Sequence, residues 1–129
     1  MPYDPYVTSD YYQNAYKGQV IPDDALDGFL KQASRHIDSL TYSRIVGQGF
    51  SALTEFQQDV IREVVCRQAD FEAENREALD CALSSYSING VSMTLTAGWN
   101  VFLDKGVAMP RELYSLLEQT GLTFRGIGR

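Results

Sequence analysis

Apolar residues at helical spacing run through this chain and fix the kind of fold open to it. Leu26, Phe29, Leu30, Ala33, Ile37 and Leu40 recur every three or four positions, so they share one face of a helix. Pro22 opens that helix, and Asp23, Asp24 and Asp27 complement its dipole. A second stripe runs through Phe56, Val60, Ile61, Val64, Val65, Ala69 and Phe71; either Ala78, Leu79 and Ala82 prolong it to about Leu83 or the helix breaks near Asn75. Thr54 with Gln57 three positions later has the form of a capping box at its start. A third stripe, Leu113, Leu116 and Leu117, lies between Pro110 at the first helical position and Gly121 at the stop. Around Gly47 and Gly49 the first pattern breaks into a loop.

After Ser84 the period changes from helical to alternating. Tyr86, Ile88, Val91, Met93 and Leu95 alternate about Asn89-Gly90, a strong short hairpin signal, and Trp99, Val101 and Leu103 alternate again after Gly98. Two or three short strands are expected between residues 86 and 104, too small a sheet to stand without a helix or a neighbouring subunit. The expected fold class is mainly α: a small helical bundle with a minor β-hairpin or short β-sheet element. Its 129 residues suit one domain.

The N-terminal segment is rich in tyrosine. Five of the eight tyrosines, Tyr3, Tyr6, Tyr11, Tyr12 and Tyr16, precede residue 17. Thr8 or Ser9 caps a short helix there, and Gly18 stops it. Tyrosine combines contact area with a polar tip, so the cluster suits either an interface or a cover over the bundle's own core.

Charge narrows the partners. The formal net charge is −6 and the sequence pI about 4.6, so the net field does not attract nucleic acid or an anionic membrane. Residues 1–30 carry five acids against Lys17, and residues 55–80 carry eight against Arg62, Arg67 and Arg76. The last nine residues hold Arg125 and Arg129 and no acid. Such polarity suits contacts between subunits, although solvated helix faces with a basic end explain it as well. The opening residues have no basic start and no apolar run, so no signal peptide is expected, and no stretch approaches a membrane span.

Little in the sequence points to chemistry. Cys66 and Cys81 would lie about 22 Å apart on one continuous helix, too far to bridge, and are expected to be reduced packing residues. His36, the only histidine, falls in a stretch that reads as packing. No Cys/His spacing suits zinc, no loop suits calcium, and Gly47 and Gly49 lack the Lys-Ser/Thr of a phosphate loop. Asp23-Asp24, or the run Glu72, Glu74 and Glu77, offers a carboxylate pair of the kind a glycosidase uses, but acids at helix starts and on exposed faces are the common case. No catalytic, cofactor or metal residue is expected.

Three stretches carry a resemblance. Ala33-Ser-Arg-His-Ile-Asp-Ser-Leu-Thr-Tyr-Ser-Arg-Ile45 follows a Tyr-rich start and Ile21-Pro-Asp-Asp24. Ser84-Ser-Tyr-Ser-Ile-Asn-Gly-Val-Ser-Met93 follows the long helix, and Leu113-Tyr-Ser-Leu-Leu-Glu-Gln-Thr-Gly-Leu122 precedes Phe124-Arg-Gly126. In order and spacing these resemble the head–tail connector (adaptor) proteins of long-tailed bacteriophages. The Trp99–Leu103 stretch departs from the broad family.

The resemblance implies a virion protein, assembled in the host cytoplasm, with no enzymatic role and no cofactor. Copies would form a homo-oligomeric ring, commonly twelvefold, beneath the portal protein. The ring would extend the DNA channel, let DNA pass without specific binding, and meet a stopper or tail-completion protein on its far side. The tail from residue 122 to 129 would dock on the portal through Leu122, Phe124, Arg125, Ile127 and Arg129. Tyr3, Tyr6, Tyr11, Tyr12 and Arg44 are the candidate subunit-interface residues, and Glu72, Glu74 and Glu77 the candidate channel-facing acids. The alternatives are a small helical protein-interaction or regulatory module and, in another class, a hydrolase using an acid pair.

Overall fold

A computed structural model describes residues 5–76, 101–104 and 107–123. Within them the chain is mainly helical, a small bundle whose two long helices pack on each other. Helix α1 is Asp23–Leu40, α2 is the short Arg44–Gln48, and α3 is Glu55–Glu74. Strand β1 (Val101–Asp104) pairs antiparallel with β2 (Val107–Pro110), and α4 is Arg111–Glu118. The hairpin register sets Val101 opposite Pro110 and Asp104 opposite Val107.

The apolar stripes meet in one core. Leu26, Leu30, Ala33, Ile37 and Leu40 of α1 are buried, as are Val60, Ile61, Val64, Val65 and Ala69 of α3. Helix α4 adds Leu113 and Leu117, and β2 adds Val107 and Met109. The capping box forms: Thr54 Oγ1 accepts from the Gln57 N–H at 3.1 Å, while Gln57 Oε1 accepts from the Thr54 N–H at 3.0 Å. Pro22 occupies the N-cap of α1, with Asp23 and Asp24 in the first turn.

The N-terminal segment lies over the core. Thr8 Oγ1 accepts from the Tyr11 N–H, and residues Tyr11–Ala15 form a π-helical turn. Gly18 does more than stop this turn. A Cβ there would fall 2.2 Å from the Tyr12 ring, so only glycine lets the chain double back over that side chain.

Helix α3 ends at Glu74, at the break near Asn75 that was one of the two expectations: the Asn75 side-chain amide donates to the Phe71 carbonyl at 2.9 Å, alongside the Asn75 backbone N–H. Several other expectations need correcting. The extension through Ala78, Leu79 and Ala82 lies outside the described residues, as do Cys81 and the alternating stretch from 86 to 100. The strand pairing that is described involves β1 and a partner, β2, placed beyond the expected range. Pro110, expected at the first helical position, pairs with Val101 at the end of β2 and serves as the N-cap of α4. Residues 44–52 are not a plain loop but two short helical pieces, with Gly49 between them at φ +90°. Phe56 is 54% exposed, because in the first turn of α3 nothing in the described chain covers it.

Ile37 is fully buried between α1 and α3, so Ile37→Ala should cost about 2–5 kcal/mol of folding free energy. Urea denaturation of the two proteins measures this, and a loss below about 1 kcal/mol would show that the site collapses around the deletion.

Candidate functional site

Two carboxylates of α3 organise the polar interior. Asp70 faces the N-terminal segment, where Tyr12 Oη donates to its Oδ1 at 2.5 Å and Tyr16 Oη donates to its Oδ2 at 2.9 Å. Tyr12 Oη in turn accepts from the Ile21 N–H at 3.3 Å. Burial, and then the bond to Asp70, push the Tyr12 phenol up to about 12. The same two causes raise Tyr16. Burial, with the charges of Asp70 and Glu63 behind it, pushes the Cys66 thiol up to about 12. These groups are proton-holding packing elements at neutral pH, not activated nucleophiles.

Glu72 faces the other way and is buried at 5% exposure. His36 Nδ1 lies 2.5 Å from its Oε2, and Gln68 Nε2 donates to the same oxygen at 2.8 Å. Gln32 Nε2 reaches Oε1 at 3.4 Å. The Gln68 amide also donates to the Ala108 carbonyl at 2.9 Å, joining α3 to the hairpin. With both amide hydrogens used on acceptors, Gln68 Oε1 is left without a partner. His36 is therefore a half-buried strut between α1 and α3, beside a carboxylate and, among the described residues, with no nucleophile hydrogen-bonded to it. Among the described residues no group of three or more His, Cys, Asp or Glu side chains could hold a metal ion.

A third set lies at the end of the bundle where α1, α2, α3 and α4 come together. Arg44 Nη1 donates to the Leu122 carbonyl at 2.8 Å, and Gln57 Nε2 donates to the Thr120 carbonyl at 2.9 Å. The Arg44 guanidinium sits 5.1 Å from the centre of the Tyr42 ring. Tyr42 and Ser43 both take left-handed backbone angles (φ +57° each), a strained pair for non-glycine residues. Around this end Tyr42, Val46 and Phe56 are exposed, at 39%, 60% and 54%.

These placements revise the candidate residues. Tyr12 is not an interface residue, because its ring is sealed in the core. Tyr6 spends its N–H on Ser34 Oγ and its hydroxyl on Asp38, and its ring stacks on Phe50. Tyr11 is half-buried beneath the Arg62 guanidinium. Arg44 is half-buried and holds the chain's own Leu122. Glu72 cannot face a channel, because it points inward to Gln32, His36 and Gln68; Glu74, two residues on, is exposed. That split also removes Glu72 and Glu74 as a solvent-facing catalytic pair. Leu122 is buried and belongs to the bundle, not to a docking tail. Tyr3, Glu77, Phe124, Arg125, Ile127 and Arg129 lie outside the described residues.

Asp70 was missed as an anchor, though it stands one position after Ala69 on the edge of the apolar stripe. Gln57 was placed only in the capping box, and Gln68 gave no signal beyond a polar residue beside an apolar one.

No protein-family model, curated protein or solved structure matches the chain.

Asp70→Ala strands the buried Tyr12 hydroxyl and should lower stability by about 1–3 kcal/mol, with Asp70→Asn costing less because one acceptor oxygen remains. Chemical denaturation of the three proteins gives the order. Alkaline titration gives a separate outcome. Cys66 and Tyr12 release protons from the unfolded chain near 9.0 and 10.0 but from the fold only near 12. Their contribution to stability is complete below the lower values and is lost as pH climbs towards the upper one. The melting temperature should fall progressively above about pH 9. A flat profile up to pH 12 would contradict the buried thiol and phenol.

Proposed function

We propose that this chain is a structural subunit of a head–tail connector ring of a long-tailed bacteriophage, a non-catalytic link between the portal and the tail-side components. One observation carries the reading: three separate stretches resemble the connector family in the family's order, on a chain that is a small helical bundle. The first of them, residues 33–45, builds the second half of α1, the strained Tyr42-Ser43 turn and the start of α2. The last builds α4 and the turn held by Arg44 and Gln57.

The surface chemistry is compatible with a subunit around passing DNA. Asp10, Asp23, Asp24, Asp27 and Glu74 are exposed, and acids on a channel wall repel phosphate instead of gripping it. A closed ring needs two different faces on each copy that fit head to tail. The acidic N-terminal end of α1 and its basic later half, Lys31 and Arg35, provide surfaces of opposite sign. Residues 124–129, with Phe124, Ile127, Arg125 and Arg129, are the portal-docking segment in this reading.

The test is to mix the purified chain with portal-bearing heads that lack the connector. Electron microscopy should then reveal an added ring beneath the portal, and deletion of 124–129 should abolish its attachment while the truncated chain stays folded. A chain that remains monomeric at every concentration and leaves such heads unchanged would favour a helical protein-interaction module instead.

A further inference from the structure

A cleft of about 610 Å³ lies between the reversal of the chain at residues 16–19, the later half of α3 and Pro110. That size suits a small ligand. One wall is a single face of α3, where Arg67, Asp70, Phe71 and Glu74 stand at positions i, i+3, i+4 and i+7. The facing wall is the loop that leaves the π-helical turn. Lys17 lines it with φ +62°, a left-handed angle that glycine or asparagine takes more readily.

The charges on α3 form two poles. Arg67 and Glu74 are seven residues apart on one face, which separates them by about 10 Å along the axis. Asp70 lies between them and is already engaged, because Tyr12 and Tyr16 donate to its two oxygens. Glu74 is exposed and has no hydrogen-bond or ion-pair partner among the described residues. Arg67 has one, Glu63 at 2.8 Å, in a half-exposed i,i+4 pair. Solvent weakens such a pair, and a guanidinium has five N–H donors, so Arg67 keeps donors for a second acceptor. Level with Asp70, the rings of Tyr16 and Phe71 supply apolar surface, and Pro110 adds an apolar edge. Lys17 and Arg67 balance Asp70 and Glu74, so the lining carries no net charge. It selects neither a simple anion nor a simple cation. It suits a molecule whose own opposite charges stand about 10 Å apart with an apolar group between them.

We infer that this cleft is a binding site for a short zwitterionic peptide of about three residues, whose extended length of about 10 Å matches the distance between the poles. Its ammonium end meets the Glu74 carboxylate. Its terminal carboxylate meets the Arg67 guanidinium, with Lys17 as a second cation on the facing wall. Its middle side chain rests on Tyr16, Phe71 and Pro110. Recognition of both free ends excludes internal stretches of a protein. The inference does not rest on the connector reading, since it concerns the isolated chain.

The probe is the tripeptide alanyl-phenylalanyl-alanine, titrated at millimolar concentration into the isotope-labelled chain. NMR follows the backbone amide signals of Lys17, Gly18, Arg67, Phe71 and Glu74, which should shift and saturate. Acetylating the amino end or amidating the carboxyl end should each weaken binding about tenfold, because each removes one charged hydrogen-bond pair. Glu74→Gln should weaken the free tripeptide about tenfold yet leave the acetylated one unchanged. Arg67→Gln should likewise weaken the free tripeptide and leave the amidated one unchanged. Both side chains are exposed, so the melting temperature should stay near that of the parent chain. A free tripeptide that leaves these signals in place would overturn the inference. So would equal affinity of the free and the doubly capped peptide, since neither charged end would then be read.

Discussion

Asp70 and Glu72 stand two residues apart on α3, which sets them about 200° apart around the helix. Glu72 is buried and Asp70 half-buried, and a carboxylate withdrawn from water without donors carries a desolvation penalty. The chain answers with groups from two directions. Tyr12 and Tyr16 come from the N-terminal segment to Asp70, while Gln32 and His36 of α1 come to Glu72. A shift of α1 by one turn along α3 would move His36 and Gln32 away from Glu72 together. Apolar contact alone tolerates such slippage far better, because Leu, Ile and Val stripes are much alike from turn to turn. The carboxylates thus act as register marks, and Gln68 extends the same device to the hairpin through the Ala108 carbonyl.

This division of labour explains what the sequence made legible. The stripe residues Ile37, Val60, Ile61, Val64, Leu113 and Leu117 were readable as core because burial of apolar area follows directly from period. The Thr54–Gln57 cap was readable because both halves of its bonding pattern are local. Glu72 was not: an acid among Asp70, Glu74 and Glu77 looks like a solvated face, and its donors lie on other elements, 36 and 40 positions away for His36 and Gln32. Tyr12 belongs with it, since its place depends on Gly18 and Asp70. Phe56 failed in the opposite sense. Its spacing matches the buried Val60, but the described chain puts no element over the first turn of α3.

The same contrast separates the interior from the end face. Inside, polar groups from distant parts of the chain find one another, and Gln68 Oε1 is the one buried side-chain atom left without a partner among the described residues. At the end around residues 120–122, the bonds that close the bundle come from Arg44 and Gln57, two long side chains reaching over from other helices. They hold backbone carbonyls of the turn that follows α4, at Leu122 and Thr120. That arrangement fixes the last turn of the fold while keeping Val46 and Phe56 in solvent.

Strain points to the same end. Two consecutive non-glycine residues with positive φ, Tyr42 and Ser43, are an unusual cost in a turn that any Asn-Gly or Gly-Gly sequence would make more easily. The turn is held by the Ser43 N–H bonding to the Asp38 carbonyl and by the Arg44 N–H bonding to the Thr41 carbonyl. Its effect is to bring Arg44 back over the Tyr42 ring while its guanidinium reaches Leu122. A glycine turn would reverse the chain as well but would place no ring beneath the guanidinium. The strained tyrosine is thus tied to the contact that anchors the end of the chain, and the surface at that end follows from how the bundle is closed.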